Sequence, residues 1–213
     1  MFNGFSYGII SSKIEKIFYN IYSMIEEFFI KIFNLFINLT NHYKQEETNY
    51  TMRNLNSKIP GAENFKYIEF IKSYTATRKG IDNTPTEEHL KNIERLAVNV
   101  LQPARETLGR IRITSGYRSR KLNKAIKGSK TSLHCFGCAS DIEPLRESVS
   151  LLDLLEWIYN NCEFRELIAE FFDNDGWVHV GYVEGRNDKK LKLKDKNHNY
   201  EIVSLDYIKS LYK

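Results

Sequence analysis

In Ser132-Leu-His-Cys-Phe-Gly-Cys-Ala-Ser-Asp141 an imidazole at His134 and a carboxylate at Asp141 bracket six residues, and Gly137 and Ala139 keep the chain between them slim. A second imidazole, His179, arrives much later in Gly176-Trp-Val-His-Val-Gly181. Two imidazoles and one carboxylate are a common ligand set for catalytic zinc, which keeps a fourth position open for water. Taken singly, the same residues also read as a loop histidine and a buried, hydrogen-bonded one. Cys135 and Cys138 add a C-x-x-C pair, a pattern used by structural zinc and by redox couples. Structural zinc wants a second ligand pair, however, and Cys162 stands alone. A redox motif would open a helix, whereas this segment leads into a strand. Both cysteines therefore read as small fillers.

The elements that must position these groups are legible in part. Arg110 to Thr114 alternates and reads as a strand feeding Ser115-Gly116. Ala139 to Ile142 is a strand carrying Asp141, closed by Pro144. Leu167 to Phe172 and Trp177 to Val183 read as two antiparallel strands joined by a turn at Asp173 to Gly176. His179 then sits mid-strand, with Val178 and Val180 facing the core on the other side. Upstream, Phe65, Ile68, Phe70 and Ile71 suggest a short helix or turn. A helix is expected to start with Thr84 as N-cap, Pro85 in first position and Glu87 completing a capping box. Its buried face is Leu90, Ile93, Leu96, Ala97 and Val100, with a bend or restart at Pro103 and an end at Gly109. His89, in its first turns, reads as a surface residue. Ser119 to Ile126 is a short helix and Val149 to Tyr159 a long one. Beyond Gly185 the chain reads as a basic tail, with an edge strand at Tyr200 to Val203 and a short helix at Leu205 to Tyr212.

Residues 1–51 form a separate question. Apolar positions from Ile14 to Phe36 recur at helical spacing, but Glu26, Glu27 and Lys31 interrupt the run. A membrane span needs about 20 largely uncharged residues, and no secretory leader pattern is seen. Residues 13–38 read as an amphipathic helix for a membrane surface or a partner. Equally, residues 1–51 read as an extension and polar linker outside a self-sufficient domain at 52–213. The chain of 213 residues carries a net charge of +4. That mild excess suits an anionic partner such as a cell wall, or simply a solvated basic surface. No nucleic-acid motif accompanies it. Three cysteines, an odd number, do not suggest a disulfide framework.

Ser115-Gly-Tyr-Arg-Ser119, then S-x-H-x-x-G-x-A-x-D, then Trp-Val-His, in that order, resemble the zinc D-Ala-D-Ala carboxypeptidase family, and most of all its phage-encoded branch. The resemblance covers roughly Asn64 to Tyr182. It implies an α+β fold of the hedgehog/DD-peptidase kind, a small antiparallel sheet with helices on one side. It implies one zinc per chain held by His134, Asp141 and His179. It also implies hydrolysis of peptidoglycan stem-peptide bonds by metal-activated water, as carboxypeptidase or as endolysin-like endopeptidase. Family members commonly place the proton-transferring acid three residues before the last histidine, where this chain has Gly176. Glu170 and Asp175 are the available substitutes. Arg118 is expected to bind a substrate carboxylate or the developing oxyanion, Ser132 to orient His134 or substrate, and Trp177 to wall the cleft or pack in the core. The expected protein is a monomer that waits in the host cytoplasm to act on the wall, or is carried on a virion. The alternative is a zinc-containing wall-binding or virion module without hydrolysis.

Overall fold

The computed structural model describes residues 16, 18, 20–40, 54–172 and 175–212. The chain divides into two compact units, Met1–Arg53 and Asn54–Lys213. In the first, residues 20–40 form helix α1, whose residues up to 39 are exposed. Ile14, Ile17 and most of the expected linker (residues 41–53) lie outside the described residues. No described helix is long and apolar enough to cross a membrane.

The second unit is α+β. A hairpin of β1 (Lys58–Ile59) and β2 (Ala62–Lys66) leads into α2 (Tyr67–Ile71) and α3 (Tyr74–Lys79). The Phe65 to Ile71 segment, expected as one helix or turn, is thus split between strand and helix. Helix α4 (Glu87–Leu96) starts two residues later than the sequence suggested, with Thr86 as N-cap. Thr84 is drawn away by Asp82, which accepts from its backbone N–H and its hydroxyl at 2.9 and 2.6 Å. The capping box is closed by His89, whose Nδ1 accepts from the Thr86 N–H at 3.1 Å. His89 also packs its ring on Tyr117 at 4.7 Å, so it is a half-buried structural residue rather than a surface one. Leu90, Ile93, Leu96, Ala97 and Val100 are all buried, as their spacing predicts. The helix passes Pro103 through a π-helical turn at Ala97–Leu101 before α5 (Gln102–Leu108). A proline ring clashes with the carbonyl four residues back, and the wider turn gives it room.

The main sheet has the order β3-β4-β6-β5-β7-β8. These strands are β3 (Ile111–Ser115), β4 (Ala139–Pro144), β5 (Glu166–Glu170), β6 (Trp177–Gly181), β7 (Lys190–Lys194) and β8 (Tyr200–Ile202). Every pairing is antiparallel except β5 with β7. Period-two alternation sends Ile142, Leu167, Ala169, Val178, Val180 and Leu191 to one face, where all are at most 3% exposed. Helix α7 (Leu151–Asn161) covers that face with Leu154, Leu155 and Ile158. The opposite face carries the polar residues of the site. α6 (Arg120–Ala125), capped by Ser119, and α8 (Leu205–Leu211) complete the unit. The expected basic tail is a correction. Residues 190–194 are a strand inside the sheet, because their lysines find carboxylates on β5 while Leu191 packs into the core.

Candidate metal centre

The register of the sheet builds the centre. β4 and β6 pair so that Asp141 lies directly opposite His179. His134 enters from a 3₁₀ turn, Leu133–Phe136, just ahead of β4. His134 Nε2, His179 Nδ1 and Asp141 Oδ1 lie 2.8 to 3.2 Å from one another. Bonds of about 2.0–2.1 Å at tetrahedral angles give ligand separations of about 3.3 Å, so the three atoms are spaced to share one ion.

Two glycines of the motifs make that convergence sterically possible. At Gly116 a Cβ would lie 2.4 Å from the Phe70 carbonyl oxygen, so only glycine fits. The Gly116 carbonyl accepts from His134 Nδ1 at 2.7 Å. A bulge late in β3, between Ile113 and Ser115, precedes this segment, and bulges serve to re-aim a chain beside a site. Gly137 has φ +71° and would place a Cβ 2.4 Å from the His89 carbonyl oxygen.

Protonation follows from these partners. The Gly116 carbonyl can only accept, so His134 carries its proton on Nδ1 and turns the Nε2 lone pair inward. Burial lowers the His134 pKa and keeps the ring neutral, outweighing the opposing pull of Asp141. Asp141 is held well below the usual carboxylate range: burial opposes ionisation, but His134 and His179 overcome it. For His179, burial also favours the neutral ring, yet Asp141 and Glu166 prevail and raise it to about 9 in the metal-free protein. Its Nε2 is buried without a well-aligned hydrogen bond, and Glu166 Oε1 lies 3.5 Å away. In the metal-free protein the ring therefore holds a proton on each nitrogen, Nδ1 facing Asp141 Oδ1 at 2.8 Å; loss of the Nδ1 proton turns that lone pair toward His134 Nε2 and Asp141 Oδ1. A metal ion bound there would take the place of that proton among the three ligand atoms.

The centre forms part of the floor of a cleft of about 1120 Å³, also lined by Arg118, Ser132, Glu170 and Trp177. Arg118 places Nη2 3.5 Å from Asp141 Oδ2 and has a buried Nε with no hydrogen-bond partner. Ser132 lines the cleft, and the ring nitrogens of His134 are met by Gly116, Asp141 and His179. Trp177 packs edge-on against Phe171 at 5.3 Å. Glu170 is 6% exposed and pairs with Lys194 at 2.7 Å. Asp175 is exposed in its turn and does not line the cleft; Asp173 and Asn174 of the expected turn lie outside the described residues. At Gly176 a Cβ would lie 2.3 Å from the Glu170 carbonyl oxygen and 2.4 Å from that of Phe171. The position where a relative would carry its acid therefore has no room for a side chain.

Cys135, Cys138 and Cys162 are free and buried, and burial pushes all three thiols up, Cys138 and Cys162 to about 11. Cys138 packs with Leu133, Ala139 and Val183, as a filler would. Sequence reasoning passed over Glu166, Lys192 and Lys194. Lys192 Nζ lies 2.6 Å from Glu166 Oε2, completing a chain from β7 through Glu166 to His179. Gly181 makes room for it, since a Cβ there would meet Glu166 Cγ at 3.0 Å and Leu133 Cδ1 at 2.5 Å. The signal that was available is the matched alternation of Glu-Leu-Ile-Ala-Glu and Lys-Leu-Lys-Leu-Lys.

No curated protein matches the chain. A family model described as Peptidase M15 matches residues 63–181, just over half of it. That span contains all three converging ligand atoms and both glycine-dependent motifs. Peptidases of this family are zinc-dependent, and the donor set fits that metal. The chain belongs to the M15 peptidases, the zinc D-Ala-D-Ala carboxypeptidase family.

Proposed function

We propose that this peptidase hydrolyses stem-peptide bonds of bacterial peptidoglycan, as a D-Ala-D-Ala carboxypeptidase or an endolysin-like endopeptidase, with one zinc held by His134, Asp141 and His179. The observation that carries the reading is the convergence of three metal-ligand atoms in a cleft that also holds a buried carboxylate. Bound there, zinc supplies a water with a pKa of about 7 and polarises the peptide carbonyl. The chain's own residues do the rest. Glu166 keeps the proton of His179 on Nε2, as a carboxylate behind a metal histidine does. Glu170, on the strand paired with that of His179, takes the proton of the attacking water and hands it to the leaving amine. Arg118, whose guanidinium stays charged and lines the cleft, receives a substrate carboxylate or the developing oxyanion. Ser132 and Trp177 contact substrate. Asp175, exposed and outside the cleft lining, is assigned to the turn. The protein works as a monomer on the cell wall, released from the host cytoplasm or carried on a virion.

One observation favours the second reading, a wall-binding or virion module without hydrolysis: Lys194 already neutralises Glu170. Glu170→Gln separates the two. We expect kcat to fall about 10²- to 10⁴-fold while zinc stays at one per chain, with Asp175→Asn near wild type. Turnover by Glu170→Gln at the wild-type rate would remove Glu170 from the mechanism. A wild-type protein that holds zinc and cleaves no wall would favour the module.

A further inference from the structure

The charge of the cleft is set by a strand beyond the family-matched residues, which end at 181. Parallel pairing with β5 sets Lys190 beside Glu166, Lys192 beside Ile168 and Lys194 beside Glu170. Alternation turns all three lysines to the cleft and Leu191 to the core. Among the described residues, six cationic side chains line the cleft: Arg118, Lys127, Arg165, Lys190, Lys192 and Lys194. Three carboxylates face them, Asp141, Glu166 and Glu170. Leaving aside the histidines of the centre, the lysines and arginines would balance the carboxylates three to three without β7, so β7 adds an excess of three positive charges.

Those carboxylates are already engaged. Asp141 faces two histidines and Arg118, Glu166 takes Lys192, and Glu170 takes Lys194. Lys190 differs from its two neighbours. Its acidic partner among the described residues is Asp188, 3.8 Å away and outside the cleft lining. Asp188 Oδ2 is shared with Arg186 at 3.0 Å and Arg165 at 3.9 Å. One carboxylate therefore stands among three cations, two of which, Lys190 and Arg165, also line the cleft.

We propose that β7 makes this cleft selective for acidic peptides, with Lys190 and Arg165 receiving a substrate carboxylate other than the one Arg118 would take. A cleft lined by an excess of one sign concentrates ligands of the other. A forked guanidinium beside an ammonium suits a carboxylate, and a neutral carboxamide gains far less from that pair. The inference rests on the peptidoglycan reading for its peptide, but binding tests it without turnover.

The probe is a stem pentapeptide whose γ-linked D-glutamate carries a free α-carboxylate, compared with the same peptide bearing a carboxamide there. Calorimetry on the metal-free full-length protein should show the acid binding about fivefold tighter, the upper range for a half-exposed ion pair. Lys190→Gln should abolish most of that preference, Arg165→Gln should weaken it, and Lys190→Arg should keep it. Equal binding of the two peptides, an unchanged preference in Lys190→Gln, or no binding of either peptide would overturn the proposal. Cleavage by the zinc-loaded protein is followed in parallel. Selective binding without cleavage would defeat the proposed hydrolysis and leave the acidic subsite standing.

Discussion

His179 is the residue on which the centre turns, because its two nitrogens serve different partners. Nδ1 faces Asp141 Oδ1 at 2.8 Å, and Nε2 lies 3.5 Å from Glu166. Glu166→Gln keeps the shape and removes the charge behind the ring. It should weaken zinc about 10- to 100-fold, read by competition with a chelator. A wild-type affinity would mean Glu166 merely fills space. The metal-free protein offers a second readout. A histidine held at about 9 in the fold, above its ordinary 6.5, adds stability that is complete below 6.5 and lost as pH rises through 9. The full shift is on the order of 3 kcal/mol. Melting of the chelated protein should therefore drop between pH 6.5 and 9, and less so in Glu166→Gln. A flat profile would show that Asp141 and Glu166 do not hold that proton. The three ligands were legible in the sequence because their types and order are unusual together. Glu166 was not, since a carboxylate on an alternating strand looks like any solvent-facing residue until the neighbouring strand is known.

At the level of elements, the β5–β6 connection explains why the acid has moved. β6 leaves its turn so close to the backbone of Glu170 and Phe171 that position 176 admits no Cβ, and Glu170 sits beside Trp177 across the pair. Gly176→Asp would restore the usual family spacing, yet it should destabilise the protein by about 1–3 kcal/mol and not rescue a Glu170→Gln enzyme. A stable, active double variant would show that the turn can open. Strands β3, β4, β5 and β6 were legible from alternation. β7 was not, because lysine is depleted in strands and its compensation, two carboxylates on β5, lies more than twenty residues away. The start of α4 was displaced for a similar reason: Thr84 and Thr86 are both good caps, and Asp82 and His89 decide between them.

The second unit, Asn54–Lys213, holds the whole centre, its cleft and the core beneath it. The family-matched span supplies the metal-binding geometry, while the strands after it supply the cationic wall. The molecule thus joins a peptidase centre to a charge pattern of its own. The measurement that tests this account most directly is mass spectrometry of purified peptidoglycan after incubation with the zinc-loaded protein, beside a chelated control. New peptide termini that appear only with metal are the predicted result, and their identity names the bond. Intact peptidoglycan of several wall chemistries, in the presence of folded protein carrying one zinc, would contradict it.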